Sequence, residues 1–175
     1  RVTGFHGEEM VGAKLAFAGG ASQVPGLRIA ASTPAGARAT IVDASAGGAR
    51  KVEVKADDTG AMLRFLDVYD KLDGGRAALS LAGQTGGSLR GQLEIRDFSL
   101  INEAALKSMV DRTPPGDSRS LNEAVRRDVD VSRAQFQRGF ASVEMGRGTI
   151  QVANGVVSGS SMGSTFEGTV IGADG

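Results

Sequence analysis

Five residues near the end of the chain, Gly159-Ser160-Ser161-Met162-Gly163, spell G-x-S-x-G. In one large class of hydrolases that turn presents a serine nucleophile, but only between a strand and a helix, and with a histidine and an acid later in the chain. Here alternating residues follow at once, and the single histidine, His6, lies far upstream. The five residues therefore read as a Gly/Ser hairpin loop. His6 with Glu8 and Glu9 is the only cluster resembling a metal site, and one imidazole beside carboxylates at a chain end lacks a closed ligand set. That end reads as solvated and disordered. Asp57-Asp58 could serve as a carboxylate pair, yet helix capping accounts for both. Asp111, Asp117, Asp128 and Asp130 sit amid Arg112, Arg119, Arg126 and Arg127, a mixed run that reads as a solvated face. Gly74-Gly75-Arg76 lacks the strand–loop–helix order of a phosphate loop. The residues assign no catalytic, cofactor-binding or metal-binding set, and the chain reads as non-enzymatic.

The chain has 175 residues, 20 basic and 20 acidic. This is enough for one domain with a core, and the balance of charge removes the electrostatic case for nucleic acid. Glycine supplies 26 residues, against a usual share of ~7%, and tryptophan is absent. Tight turns and small strand residues follow from that composition. The lack of cysteine excludes disulfides and thiolate metal sites. No apolar run reaches the ~20 residues that cross a bilayer as a helix. Both ends look cut from a continuing strand pattern, so the chain is expected to be a piece of a longer protein.

The clearest helix is expected over residues 55–72. Asp57-Asp58-Thr59 can cap it, Met62, Phe65, Leu66, Tyr69 and Leu72 form an apolar stripe, and Gly74-Gly75 can stop it. Tyr69 falls on the stripe, with its hydroxyl at the rim. The helix is expected to cover one end of a sheet. A second helix, capped by Asn102 and striped by Leu106, Met109 and Val110, ends at Thr113-Pro114-Pro115-Gly116. Ser120 and Glu123 fit a capping box for a short third.

Nearly everything else alternates with period two between Gly and Pro signals, the mark of an antiparallel meander. The best strand sends Leu89, Gly91, Leu93 and Ile95 one way and Arg90, Gln92, Glu94 and Arg96 the other. Asn154-Gly155 reads as a hairpin turn. The expected fold is mainly β: a curled antiparallel sheet or half-open sandwich, groove-like, with two or three short helices. Its dry face would carry Ile29, Ile41, Val52, Val54, Leu79, Leu81, Leu89, Leu93, Ile95, Ile150, Val152, Phe166 and Val170. Such a face is either an ordinary closed core or an apolar trough that binds something.

Three stretches carry a family resemblance: KADDTGAMLRFLDVYDKLDGGRAALSL, GSLRGQLEIRDFSLINEAALKSMV and FQRGFASVEMGRGTIQVANGVVSGSSMGSTFEGTV. With Asp57-Asp58, Leu63, Tyr69, Gly74-Gly75, Gly91, Asp97-Phe98, Asn102 and Gly168, they resemble the C-terminal region of AsmA-like proteins. These are large envelope proteins of Gram-negative bacteria, related to TamB and more distantly to chorein-type lipid bridges. The similarity spans about residues 51–171; residues 113–119 and the Arg-rich stretch after them are more polar than the family pattern. The resemblance implies that residues 1–175 form a single fragment of a periplasmic protein anchored in the inner membrane through a segment outside this chain. It further implies a part in phospholipid transport toward the outer membrane, and in outer-membrane biogenesis or integrity. Phospholipid acyl chains would then be the partners, with Leu79, Leu81, Leu89, Leu93, Ile95, Ile150, Val152, Phe166 and Val170 the candidate lipid-facing residues. The alternative is a structural or protein-interaction module with a closed core, docking another envelope protein through residues 111–127.

Overall fold

The computed structural model describes residues 1–20, 23–104, 132–146, 148–160 and 163–171. Ten strands form one antiparallel sheet in simple sequence order: β1 (Val2–Thr3), β2 (Glu9–Gly20), β3 (Gln23–Ser32), β4 (Arg38–Ala46), β5 (Ala49–Ala56), β6 (Leu72–Gln84), β7 (Leu89–Ile101), β8 (Arg133–Gly146), β9 (Thr149–Ser158) and β10 (Gly163–Ile171). The first and last strands lie at opposite ends of this order, so the sheet is not closed, and it is not strongly curled. The expected curled sheet or half-open sandwich is therefore corrected to a single open layer. Each strand pairs with its chain neighbours, and no described strand crosses over to build a second layer.

Among the elements of the described residues, the helix α1 (Thr59–Phe65) stands between β5 and β6, and Phe5–Gly7 forms a 3-10 turn. The helix is far shorter than the expected 55–72. Its start is as read: Asp58 is the N-cap, its carboxylate accepting from the Ala61 N–H at 2.9 Å. Its end is not. Asp67 adopts φ +55°, a left-handed turn that breaks the helix, and Leu72 begins a strand instead of a fifth turn of stripe. Leu66 is left 49% exposed. The helix covers one end of the sheet, as expected. Gly60 lies against the backbone of Leu72 and Gly74, and the Thr59 hydroxyl donates to the Gly75 carbonyl at 2.9 Å. The expected second and third helices lie outside the described residues.

Glycines 74 and 75 do not stop a helix; they sit inside β6 with φ +64° and +84°. At the same level of the sheet Asp97 has φ +55°. Here the in–out alternation reverses across three strands. On the dry side β7 places Leu89, Gly91, Leu93 and Ile95, then Phe98 and Leu100, all buried or half-buried. On β8 they are Ala134 and Phe136, then Gly139, Ala141 and Val143. A residue in the left-handed region turns the next side chain to the other face, and this is how Phe98 joins the dry side rather than Arg96. Asn154 repeats the device at φ +52°. Ala153 pairs with Ser142 and Val156 with Phe140, so β9 carries one extra residue and runs straight through Asn154-Gly155. The hairpin turn expected at Asn154-Gly155 is a bulge within β9, which ends at Ser158 before the loop expected at residues 159–163.

Two buried clusters lie on the sheet. Leu72, Phe98, Ala134, Phe136 and Val157 form the first, with Leu63 and Tyr69 packed onto it from α1 and the segment after it. Val52, Leu81, Leu89 and Val143 form the second, flanked by Val54, Leu79, Leu93, Met145 and Ile150. A single layer buries side chains when large ones lie down over small neighbours. A Leu89 δ-methyl sits 3.0 Å from where a Gly83 Cβ would be. The Phe98 ring lies 3.4 Å from the same position on Gly139, and the Phe166 ring 2.7 Å from it on Gly155. Gly139 and Gly155 are thus strand glycines under aromatic cover, and in the second cluster Leu81 and Leu89 are each 1% exposed.

Candidate functional site

The strand register sorts the expected dry-face residues into transverse rows, since directly opposed residues share a face. One row runs Leu15–Ile29–Ile41–Val54–Leu79–Leu93–Ala141 across seven strands. The next runs Phe17–Leu27–Asp43–Val52–Leu81–Gly91–Val143–Val152–Gly168. A third runs Leu89–Met145–Ile150–Val170. Ile95 stands opposite Ala77 and Gly139 on the same side, and Phe166 opposite Gly155. All nine candidate lipid-facing residues fall on one face, but not in one environment. Leu81 and Leu89 are sealed; Leu79, Leu93, Ile95, Ile150 and Val152 are half-buried; Phe166 is exposed. The Val170 side chain lies outside the described residues. At the β2 end the face opens to water, with Leu15 60% and Phe17 75% exposed.

The opposite face is polar. Arg90 meets Glu144 at 3.0 Å, Arg76 meets Asp97 at 2.5 Å, and Arg96 meets Glu94 at 2.6 Å. Hydrogen bonding to Arg90 holds the Glu144 carboxyl below its usual range. Phe140 and Val156 are paired there and exposed, with the Arg138 guanidinium 5.2 Å from the Phe140 ring centre.

One charged pair stands on the dry face itself. Asp43 sits in the second row between Leu27 and Val52, and Arg50 lies opposite Gly83. Arg50 donates through Nε to Oδ1 at 3.0 Å and through Nη2 to Oδ2 at 2.6 Å, a two-pronged guanidinium–carboxylate pair. That hydrogen bonding to Arg50 lowers the Asp43 pKa, partly opposed by burial. A carboxylate with a depressed folded pKa contributes stability that is present above its unfolded pKa of about 4. The contribution is lost as pH falls through the lower folded value. Asp43→Asn is therefore expected to flatten the acid limb of a stability–pH curve below pH ~4, measured by urea titration at stepped pH. The sequence reading missed this pair; its signal was the turn at Gly47-Gly48, which makes residues 43 and 50 diagonal neighbours on one face.

The N-terminal residues read as a disordered end are instead docked. His6 Nε2 lies 2.8 Å from Asp67 Oδ1, Arg64 donates to Glu8 at 2.6 Å, and Glu9 pairs with Arg1. The Phe65 ring covers Gly4. Nothing in the sequence announces the His6–Asp67 and Arg64–Glu8 pairs, because they join residues some sixty apart that only the α1 packing brings together. Tyr69 donates its hydroxyl to Glu103. Burial first, then that carboxylate, raises its pKa.

Among the described residues no three His, Cys, Asp or Glu side chains cluster to hold a metal, and no helix is long and apolar enough to cross a membrane. Ser161 and residues 111–127 lie outside the described residues. Gly159 and Ser160 follow β9 and precede β10, the strand–loop–strand order expected of a hairpin. Ser160 edges an open hollow of about 270 Å³ with Asp97, Ser99, Gln135 and Gln137, whose one carboxylate is already paired to Arg76. Comparison with protein-family models, with curated proteins and with solved structures finds no match.

Proposed function

We propose that this chain is a non-enzymatic segment of a longer AsmA-like protein, held in the periplasm by an inner-membrane anchor outside residues 1–175. In this reading the protein moves phospholipid between the inner and outer membranes, and its dry face is the floor of a groove for acyl chains. The observation that carries the reading is the aliphatic row Leu15–Ile29–Ile41–Val54–Leu79–Leu93. Six strands at ~4.8 Å spacing make that row about 24 Å wide. One acyl chain spans roughly half of a ~30 Å bilayer core, about 15 Å, so the row can seat one. Each methylene covered contributes about 0.8 kcal/mol, which needs only continuous apolar surface and no signature residue.

One observation favours the second reading, a cell-envelope interaction module with a closed core: Leu81 and Leu89 are already sealed by the chain's own residues. The two readings separate in a photo-crosslinking experiment on the full-length protein in cells. Probes at Ile41 and Leu93 are expected to yield lipid adducts, and a probe at Ser80 on the polar face none. Adducts at all three sites alike, or protein adducts at Ile41 and Leu93, would reject the conduit.

A further inference from the structure

We propose, resting on the acyl-groove reading, that Asp43 and Arg50 form the headgroup site of the groove and select phospholipids whose headgroup carries both a phosphate and a primary ammonium. In the three apolar rows these two are the only charged side chains among the described residues. Asp43 interrupts the second row, and Arg50 extends the third as Ser45–Arg50–Gly83–Leu89. Both are partly covered, with side-chain exposures of 25% and 36%. The neighbouring charges on β5, Lys51 and Glu53, alternate onto the polar face and pair with each other at 2.6 Å. Replacing a covered ion pair with apolar residues of similar volume is often neutral or stabilising. Stability alone therefore does not account for a guanidinium and a carboxylate set among Leu27, Val52 and Gly83.

The chemistry of the pair matches a zwitterion. Arg50 uses two of the five guanidinium N–H donors on Asp43, and each carboxylate oxygen accepts one of them. The remaining donors suit phosphate oxygens, which a guanidinium binds in the same forked way. The remaining carboxylate lone pairs suit the N–H groups of a primary ammonium. A purely anionic headgroup meets the Asp43 carboxylate beside Arg50, whereas a zwitterion finds a partner for each of its charges. The position fits as well. From β5 to β8 the row Val54–Leu79–Leu93–Ala141 crosses three strand spacings, about 14 Å at ~4.8 Å each. An acyl chain of about 15 Å laid along it starts at β5. Asp43 then lies two residues along the strands from that row and Arg50 four, about 7 and 14 Å at ~3.4 Å per residue. The Gly47-Gly48 turn beyond them ends the β4–β5 hairpin, so the headgroup lies at the rim of the sheet.

The test compares the headgroups of lipids photo-crosslinked at Leu93, in the full-length protein in cells, with those of the surrounding membrane. Wild-type adducts are expected to be enriched in phospholipids with a primary ammonium. Asp43→Asn keeps the guanidinium and removes the partner of the ammonium, and is expected to shift the adducts toward anionic phospholipids. Asp43→Leu together with Arg50→Leu is expected to bring them to the membrane's own proportions. Glu144→Gln, which neutralises the carboxylate paired to Arg90 on the polar face, is expected to leave the enrichment as it is. Wild-type adducts in membrane proportions overturn the headgroup site and leave the groove standing, a result that needs no variant to fold. Absence of lipid adducts at Leu93 overturns both. Enrichment that survives the double leucine variant, no shift with Asp43→Asn, or an equal shift with Glu144→Gln overturns the site.

Discussion

Replacing Phe98 by alanine is expected to cost about 3–5 kcal/mol, the range for deleting a buried phenylalanine. For a chain of this length that is a fall in Tm of roughly 10 °C. Phe98 is 4% exposed and stacks on Phe136 with ring centres 5.4 Å apart. It is also the cover for Gly139 and lies against Gly75. In a two-layer protein the opposite layer relaxes into such a vacancy. Here the ring itself is the second layer, and its loss exposes strand backbone on β8 as well as Leu72 and Val157. Leu63 and Tyr69 lose what they pack on, so α1 should loosen with it. Urea denaturation gives the cost, and limited proteolysis after Arg64 reads the loosening. Phe166→Ala is the internal control: that ring covers Gly155 but remains 40% exposed, so its loss should cost well under half as much. Equal costs would show that depth of burial, in which the two rings differ, is not what makes Phe98 matter.

The faces of this sheet were readable because side-chain direction has period two, and alternating Leu89–Ile95 leaves no second assignment. The asparate cap at Asp58 was readable for a similar local reason. What the pattern hid were the places where one residue takes positive φ inside a strand. Gly74-Gly75 and Asn154-Gly155 carry the chemistry of a helix stop and a hairpin turn, and both serve as irregularities within long strands. The same local preference for left-handed backbone satisfies either role, and pairing with neighbours decides between them. Asp67 is the converse case: nothing around it marks a helix end, yet its φ of +55° cuts the expected helix by more than half. Openness was hidden for another reason. Alternation fixes which side is dry, but whether that side meets a second sheet is set by how consecutive strands are connected, and here each simply returns beside the last.

The sharpest test of the single-layer geometry is Gly91→Ala. Gly91 pairs with Leu81 and Val143 in the middle of the sheet. A methyl group there would overlap the Ser80 carbonyl oxygen, and would lie 2.8 Å from the Ser80 carbonyl carbon and 3.0 Å from the Leu81 Cα. All three obstacles are backbone, so no rotamer change can clear them. Strands β6 and β7 must move apart, at the point where Leu81 and Leu89 are most deeply buried. Overpacking of this kind costs about 1–3 kcal/mol and more when the backbone must yield, so a loss of about 3 kcal/mol or greater is expected. The intrinsic preference acts in the opposite direction: alanine in an extended strand is favoured over glycine by roughly 0.5–1 kcal/mol. Gly168→Ala isolates that opposing effect. It lies in the same transverse row, with nothing within 4 Å of the added methyl, and should be neutral or slightly stabilising. The two variants, compared by urea denaturation, should therefore differ in sign or by several kcal/mol although the chemical change is identical. If Gly91→Ala were as stable as Gly168→Ala, the close approach of β6 to β7 would be wrong, and with it the account of how one layer buries its leucines.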